Sequence, residues 1–300
     1  MSIPQPSSEH SEALHIAHEA AVTSCSLLLD FFGNTSDHKF KFEDISEDVG
    51  IDEDQVGLSI VTEADLAAEK VITARIQETF PNDYILGEEQ NPVIPEDINQ
   101  AVWTIDPLDG TANFAKHSEN YGTMIAKSEG EHVELGVVYA PSKKEYAYGE
   151  KGFGTFLNGK KVRVSEWTNL PVWNTVSITI GWKPGNEAET TATLPYQDVI
   201  KQGDVLRSIY TEIEPQGRFQ QSAYSAAIDG IELLEGKQLI YMGGGMVYDL
   251  APWYVLLEEA GYDVFDVYGK PIKWYNGFQV MIASHPAYTK KVIELLQAHQ

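Results

Sequence analysis

The segment that most restricts this chain is Val102-Trp103-Thr104-Ile105 running into Asp106-Pro107-Leu108-Asp109-Gly110-Thr111. The apolar run predicts a buried strand, and it stops at two carboxylates three positions apart. Burying a charge is costly unless something neutralises it. A fold that puts these acids at the end of a core strand must therefore supply a partner for them. Pro107 fixes its own φ and restricts the residue before it. The turn can then aim both carboxylates and the Leu108 carbonyl at one point, and these are hard oxygen donors suited to Mg²⁺. Gly110 lets the backbone approach a ligand closely. A helix starting at Thr111 would turn free N–H groups toward an anion. Asp-Pro or Asp-Gly alone makes an ordinary Asx turn. The whole hexapeptide after an apolar strand points instead to metal and phosphate meeting at one place.

Charge narrows the partners. Asp and Glu number 45 against 21 Lys and Arg, a formal net charge of −24. A nucleic-acid footprint is basic, so nucleic acid is excluded, and anionic membranes with it. No run of apolar residues is long enough to cross a bilayer. Residues 1–10 lack the basic and apolar segments of a secretory leader, so a cytoplasmic location is expected. The one cysteine, Cys25, cannot form an internal disulfide. It falls on the apolar stripe Leu14, Ala17, Ala21, Cys25, Leu28 and Phe32, where it reads as a small core residue.

That stripe predicts one helix over the first 33 residues, with Ser7 or Ser8 as its cap. An acidic loop follows over 34–57, then a second helix capped by Thr62. Short strands are expected at 84–87 and 102–105. An antiparallel meander follows at 121–126, 132–140, 145–149 and 152–157, with Asn158-Gly159 as a hairpin turn before 160–164. Beyond residue 166 the pattern alternates: strand 176–180, polar loop 183–197, helix 222–234, strand 239–242 and helix 248–260. Strands 263–265 and 280–283 and helix 287–300 complete it. The chain thus reads as an α+β half, 1–165, and an α/β half, 166–300, forming one compact unit.

Other acids sit at element ends. Glu88-Glu89 follows a strand, and alternation lets only one of them face a given site. Asp249 opens an apolar helix after Gly243-Gly244-Gly245. Asp65 lies in the first turn after Thr62. Each has an ordinary explanation as a solvated or helix-capping acid.

Together these segments resemble the inositol monophosphatase family of Mg²⁺-dependent, lithium-sensitive sugar phosphatases. Residues 103–114 are similar to its first signature, and Tyr248-Asp249-Leu250-Ala251-Pro252 to its second, with Tyr248 in place of Trp and Pro252 in place of a small residue. Gly87-Glu88-Glu89 and Val61-Thr62-Glu63-Ala64-Asp65 match two further motifs. The resemblance implies a layered αβαβα sugar-phosphatase fold and hydrolysis of a small phosphomonoester by metal-activated water, with inositol 1-phosphate the leading substrate. It also implies a homodimer. Glu88, Asp106 and the Leu108 carbonyl would hold one Mg²⁺. Asp106, Asp109 and Asp249 would hold a second, and a third could sit on Glu88 through water. Asp65 and Thr111 would orient the attacking water, with Glu88 counted among the catalytic groups. Gly110 and Thr111 amides would bind phosphate. Asp109, Asp249, Ser222 and Ala223 would border the substrate, the last two on an alignment of Arg218 to Ala223 with the family's Arg-x-x-Gly-Ser/Thr-Ala.

Two departures bear on substrate choice. Met242 falls where animal members carry a Glu that binds an inositol hydroxyl, which implies a broader or more apolar substrate range unless Glu212 or Glu214 takes that role. The family's N-terminal cation-binding Lys has no clear counterpart in Lys39 or Lys41. Fructose 1,6-bisphosphate, 3′-phosphoadenosine 5′-phosphate and histidinol phosphate are the alternative substrates. A haloacid-dehalogenase-type phosphatase would space its two Asp by two positions, not three. A non-catalytic regulatory relative is the remaining alternative.

Overall fold

A computed structural model of the chain describes residues 3–34, 63–168, 170, 176–179, 196–213, 219–221, 223–276 and 278–300. Within them the elements run α1 (Glu12–Asn34), α2 (Glu63–Thr79), β1 (Tyr84–Gly87), β2 (Ala101–Asp109), α3 (Thr111–Ala115), β3 (Gly122–Glu129), β4 (His132–Ala140), β5 (Glu145–Glu150), β6 (Gly154–Leu157) and β7 (Lys160–Val162). They continue with β8 (Val176–Thr179), α4 (Tyr196–Ile213), β9 (Phe219–Gln221), α5 (Ala226–Leu234), β10 (Ile240–Gly245), α6 (Val247–Ala260), β11 (Asp263–Phe265), β12 (Gln279–Ser284) and α7 (Pro286–His299).

The strands form two sheets. The first holds β1 to β7 in sequence order, antiparallel except for the parallel β1–β2 pair. The second has the order β11-β12-β10-β8-β9, with β10, β8 and β9 parallel.

Strand alternation sorts their side chains into layers. Trp103, Ile105, Ile125, Val137 and Tyr139 pack with Leu14, Ala17, Ala21, Cys25, Ile72 and Ile76, covering one face of the first sheet with α1 and α2. Val102, Met124, Ala126 and Val138 lie on its other face. They join Ile228, Ile231, Leu250 and Trp253 of α5 and α6, and Tyr241, Met281 and Ala283 of the second sheet. The far face of that sheet packs Ile240, Met242, Val280 and Ile282 against Val205, Ile209, Val292 and Leu296 of α4 and α7. The sequence of layers is α, β, α, β, α, as expected.

Several boundaries differ from the sequence reading. α1 starts at Glu12, because Pro4 and Pro6 precede it and Ser11, not Ser7 or Ser8, accepts the Leu14 amide at 3.2 Å. β2 continues through Pro107 to Asp109 instead of stopping at Asp106. α5 starts at Ala226, where Ser225 takes the Ile228 amide. α4 covers a stretch beginning at Tyr196 that polarity had suggested as the end of a loop. Cys25 is buried, as expected, and burial pushes its thiol up to about 12. The loop from residue 35 on, the Thr62 cap, most of the polar loop at 183–197, Ile180, Lys39, Lys41, Arg218, Glu214 and Ser222 lie outside the described residues, as does the side chain of Glu212.

Candidate metal and phosphate site

Asp106 and Asp109 are an odd number of positions apart, so a regular strand would point them to opposite faces. A bulge removes that conflict. Asp106 pairs with Met124 and Asp109 with Gly122, so β2 spends one more residue than β3 between the two pairs. Pro107 fits there because β2 has already lost its β1 neighbour, whose last pair is Gly87 with Ile105. The Pro107 carbonyl accepts from Thr123 Oγ1 at 2.9 Å, and Thr123 in turn meets Ser24 of α1 at 3.0 Å. Gly110 then turns the chain with φ +82°. A Cβ there would lie 2.6 Å from the Asn120 carbonyl, so only glycine fits. α3 follows at once, as expected, and its Asn113 Nδ2 donates to the carbonyls of Asn120, Ala223 and Tyr224 at 2.9, 2.9 and 3.2 Å.

Around this turn the acids gather. Asp106, 2 % exposed, faces the α5–α6 layer. Asp249 enters that layer from the first turn of α6, where its Oδ2 accepts the Met246 amide at 2.6 Å. One carboxylate oxygen each from Asp106, Asp109 and Asp249 lies within 4.8 Å of the others. Glu88 lies beside Asp106, outside the trio whose oxygens converge. Burial first, then Asp249 and Glu89, hold Glu88 well above the carboxylate range. Burial, Glu88, Asp109 and Asp249 do the same to Asp106. Asp249 is pushed up to about 7 by burial and Asp109. Where a charged neighbour acts on these groups it is another carboxylate, so the donor set fits divalent cations with oxygen preference.

Asp109 is anchored differently. Burial raises it, but three donors oppose the shift. Its oxygens accept from Ser225 Oγ at 2.5 Å and from the Ala227 and Ala226 amides at 2.8 and 3.2 Å. The start of α5 is thereby tied to the turn.

A second acidic group borders the first. Asp65, 1 % exposed, accepts from Thr111 Oγ1 at 3.2 Å, and the same hydroxyl lies 2.9 Å from the Leu108 carbonyl. Glu69, one helical turn beyond Asp65, accepts the Glu89 and Gln90 amides at 2.8 and 3.0 Å. Its carboxylate fills the space where any side chain at position 87 would go, which is why Gly87 precedes the two glutamates. Glu89 is pushed up to about 7 by burial, Asp65 and Glu69. Glu88 and Glu89 therefore divide between the two groups. Tyr248 is half-buried beside them, its phenol raised by burial and by Glu88, Asp249 and Asp106.

The structure brings together Asp65, Glu88, Asp106, Leu108, Asp109, Gly110, Thr111 and Asp249. The residues that meet Asp109 are Ser225, Ala226 and Ala227, a second Ser-Ala pair three positions after Ser222-Ala223, and Ser222 itself lies outside the described residues. Ala223 is near, but its amide donates to Asp229 and its carbonyl is held by Asn113. Met242 is fully buried on the far face of its sheet among α4 and α7 side chains, not at the site. Sequence reasoning missed Glu69, Thr123 and Ser225, and it gave Glu89 and Asn113 no role of their own although both lie in the motifs quoted above. Glu69 could have been found from its helical spacing to Asp65, and Ser225 from its place before an apolar helix.

The chain is similar to known proteins over most of its length. The model of the inositol monophosphatase family matches residues 12–300. A Thermotoga maritima protein named fructose-1,6-bisphosphatase/inositol-1-monophosphatase is 42 % identical over 111 residues, which is 37 % of this chain and 42 % of that protein. Inositol monophosphatase 1 of Solanum lycopersicum is 28 % identical over 244 residues, 80 % of this chain and 83 % of its own. The solved Thermotoga maritima IMPase superposes with a TM-score of 0.70 at 26 % identity, covering 96 % of this chain and 98 % of that one. This chain belongs to the inositol monophosphatase family and is a phosphoric monoester hydrolase.

Proposed function

We propose that the protein hydrolyses a small metabolite phosphomonoester with the help of two or three Mg²⁺ ions. The observation that carries this is the convergence of Asp106, Asp109 and Asp249, from separate segments, to within 4.8 Å of one another. In this reading Glu88, Asp106 and the Leu108 carbonyl hold one cation, and Asp106, Asp109 and Asp249 another. When bound, such ions neutralise phosphate charge and make water a better nucleophile near neutral pH.

The chain's own groups supply the rest. Thr111 has one hydroxyl proton and two acceptors in reach, Asp65 and the Leu108 carbonyl. With the carbonyl given to a cation, the proton goes to Asp65, and the Thr111 oxygen is left to accept from the attacking water. Asp65 then takes the proton that water releases, and Glu89 beside it can pass a proton on. The Gly110 and Thr111 amides receive the phosphate. Asp109, held by Ser225 and α5, and Asp249 border the alcohol, with Ala223 as a further candidate contact. Water attacks phosphorus directly, without a phosphoenzyme, so a chiral phosphate should invert and no phosphoaspartate should be trapped at Asp106.

Inositol 1-phosphate leads the substrate panel, followed by fructose 1,6-bisphosphate, histidinol phosphate and 3′-phosphoadenosine 5′-phosphate. The Thermotoga maritima relative's name joins the first two. Steady-state assay of that panel with Mg²⁺, with EDTA and with Li⁺ tests the reading. Turnover of at least one member that EDTA abolishes and Li⁺ reduces supports it, and none under any condition refutes it. The proposal includes a cytoplasmic homodimer, checked by fractionation and light scattering, with residues 1–165 and 166–300 working as one unit. Among the described residues no helix is long and apolar enough to cross a membrane.

A further inference from the structure

The bulge in β2 leaves Pro107 and Leu108 opposite a single residue of β3, because Asp106 pairs with Met124 and Asp109 with Gly122. That residue is Thr123. A bulge disrupts the ladder locally, and buried backbone groups must then find partners elsewhere. Pro107 has no N–H, so three groups remain. The Leu108 amide donates to Asp106 Oδ1 at 3.0 Å. The Leu108 carbonyl accepts from Thr111 Oγ1 at 2.9 Å. The Pro107 carbonyl accepts from Thr123 Oγ1, also at 2.9 Å. Each polar backbone group of the bulge is thus held by a side chain.

The three holders differ in what cations ask of them. In the proposed reading Asp106 is itself a ligand, and the Leu108 carbonyl passes from Thr111 to a cation. The Thr123 bond takes no part in that exchange. It faces the other way, toward α1, where Ser24 Oγ lies 3.0 Å from Thr123 Oγ1 and both residues are 0 % exposed. A carbonyl only accepts, so the Thr123 proton goes to Pro107 and the Ser24 hydroxyl donates to Thr123. We propose that Thr123 is a positioning residue for the cation site. Through the Pro107 carbonyl it fixes the bulge, and with it the separation of Asp106 and Asp109, whether or not cations are bound. Hydrogen-bond partners behind metal ligands set affinity in this way. The inference rests on the metal-ion reading of the same site and adds to it a residue that touches neither metal nor substrate.

The test is calorimetric Mg²⁺ titration, with steady-state assay beside it, of the wild-type chain, Thr123→Val, Thr123→Ser and Thr155→Val. Thr155 is the control. It is equally buried and its hydroxyl also donates to a backbone carbonyl, that of Leu256 at 2.5 Å, but β6 lies four strands from β2. Thr123→Val should weaken Mg²⁺ binding about 10-fold and raise the Mg²⁺ concentration for half-maximal rate by the same factor. Substrate KM at saturating Mg²⁺ should not change. Thr123→Ser keeps the hydroxyl and should bind Mg²⁺ as the wild type does. Thr155→Val should unfold at a lower temperature, as Thr123→Val does, yet keep the wild-type Mg²⁺ affinity. If Thr123→Val does not fold, Thr123→Ala takes its place with the same expectation. Wild-type Mg²⁺ affinity in Thr123→Val, or an equal loss in Thr123→Ser or Thr155→Val, would overturn the proposal. Wild-type protein that binds no Mg²⁺ would instead refute the metal-ion reading itself.

Discussion

The turn at 106–111 and the segment 223–249 meet at Asp109, yet their sequences are constrained in different ways. In the turn, side chains do the work. Asp106 and Asp109 supply charged oxygens, Thr111 supplies a hydroxyl and Gly110 supplies a φ that other residues resist. Each of these contacts calls for a particular kind of side chain, so the motif is visible in the letters. In the facing segment, much of the contact to Asp109 comes from the Ala226 and Ala227 amides. Almost any residue has an amide, so that contact leaves little trace in the sequence. A turn built from side chains can therefore be read from a few letters, while the wall opposite it has to be seen.

The largest way to break this contrast is at Asp106. Asp106→Asn should lower kcat by about 10³-fold or more, roughly 4 kcal/mol of barrier, in a protein whose circular dichroism and unfolding remain normal. A folded variant of near-normal activity would remove the side-chain half of the argument. Asp249→Asn should move the same way and raise the Mg²⁺ concentration needed for half-maximal rate.

Met242 gives the next effect, and on stability alone. It lies in the core between the second sheet and α4 and α7, so Met242→Ala should cost about 2–5 kcal/mol in denaturant unfolding with little change in KM. Met242→Glu should fold poorly, because it buries a carboxylate among apolar side chains. A well-folded Met242→Glu with better polyol phosphate turnover would return this position to the site.

Ser225→Ala sharpens the contrast from the other side. It removes one donor to Asp109 and the cap of α5, about 1 kcal/mol of stability, and turnover should fall by about 10-fold as Asp109 loosens. The Ala226 and Ala227 amides remain, so the loss should stay well below that of Asp106→Asn. Ser222→Ala run in parallel should be milder still, and the reverse ranking would put Ser222 in the place given to Ser225.

Much of the fold was legible for the same reason that the turn was. The stripe from Leu14 to Phe32, the meander and the Asn158-Gly159 hairpin are periodic or locally determined, and they stand as expected. The five layers were implied only by the resemblance. The bulge that brings Asp106 and Asp109 to one face cannot be read from period, because it breaks the period. α4 was hidden by the polarity of its start, since only its Val205, Leu206 and Ile209 face needs to be apolar. Glu69 was hidden because it resembles any surface acid of a polar helix, although it is 1 % exposed and holds the Glu88–Glu89 turn.

A smaller effect separates the site from the core behind it. His18 in α1 is buried against the Tyr139 hydroxyl at 2.5 Å, and burial lowers its pKa to about 4. A base with a depressed pKa stabilises the fold above its unfolded value near 6.5, and that stability is lost as pH falls toward 4. The site carboxylates act with the opposite sign. Their raised pKa values favour the cation-free fold at low pH, and that stability drains as pH rises through about 7 for Glu89 and Asp249. Between about pH 4 and 7 at least two carboxylates lose stability while one histidine gains it, so thermal unfolding in EDTA should come at lower temperature as pH rises through that window. In His18→Asn that decline should steepen, because the opposing histidine is gone.

The most direct test of the central claim, that the buried carboxylates are a divalent-cation site, is the proton released when Mg²⁺ binds. Calorimetric titration in buffers of different ionisation enthalpy measures it. At pH 6.5 the wild-type chain should bind Mg²⁺ and release protons, because the cation displaces those held by Glu88, Asp106 and Asp249. The release should shrink by pH 8.5 and largely vanish in Asp106→Asn. Absence of saturable Mg²⁺ binding, or binding that releases no protons at pH 6.5, would contradict the account.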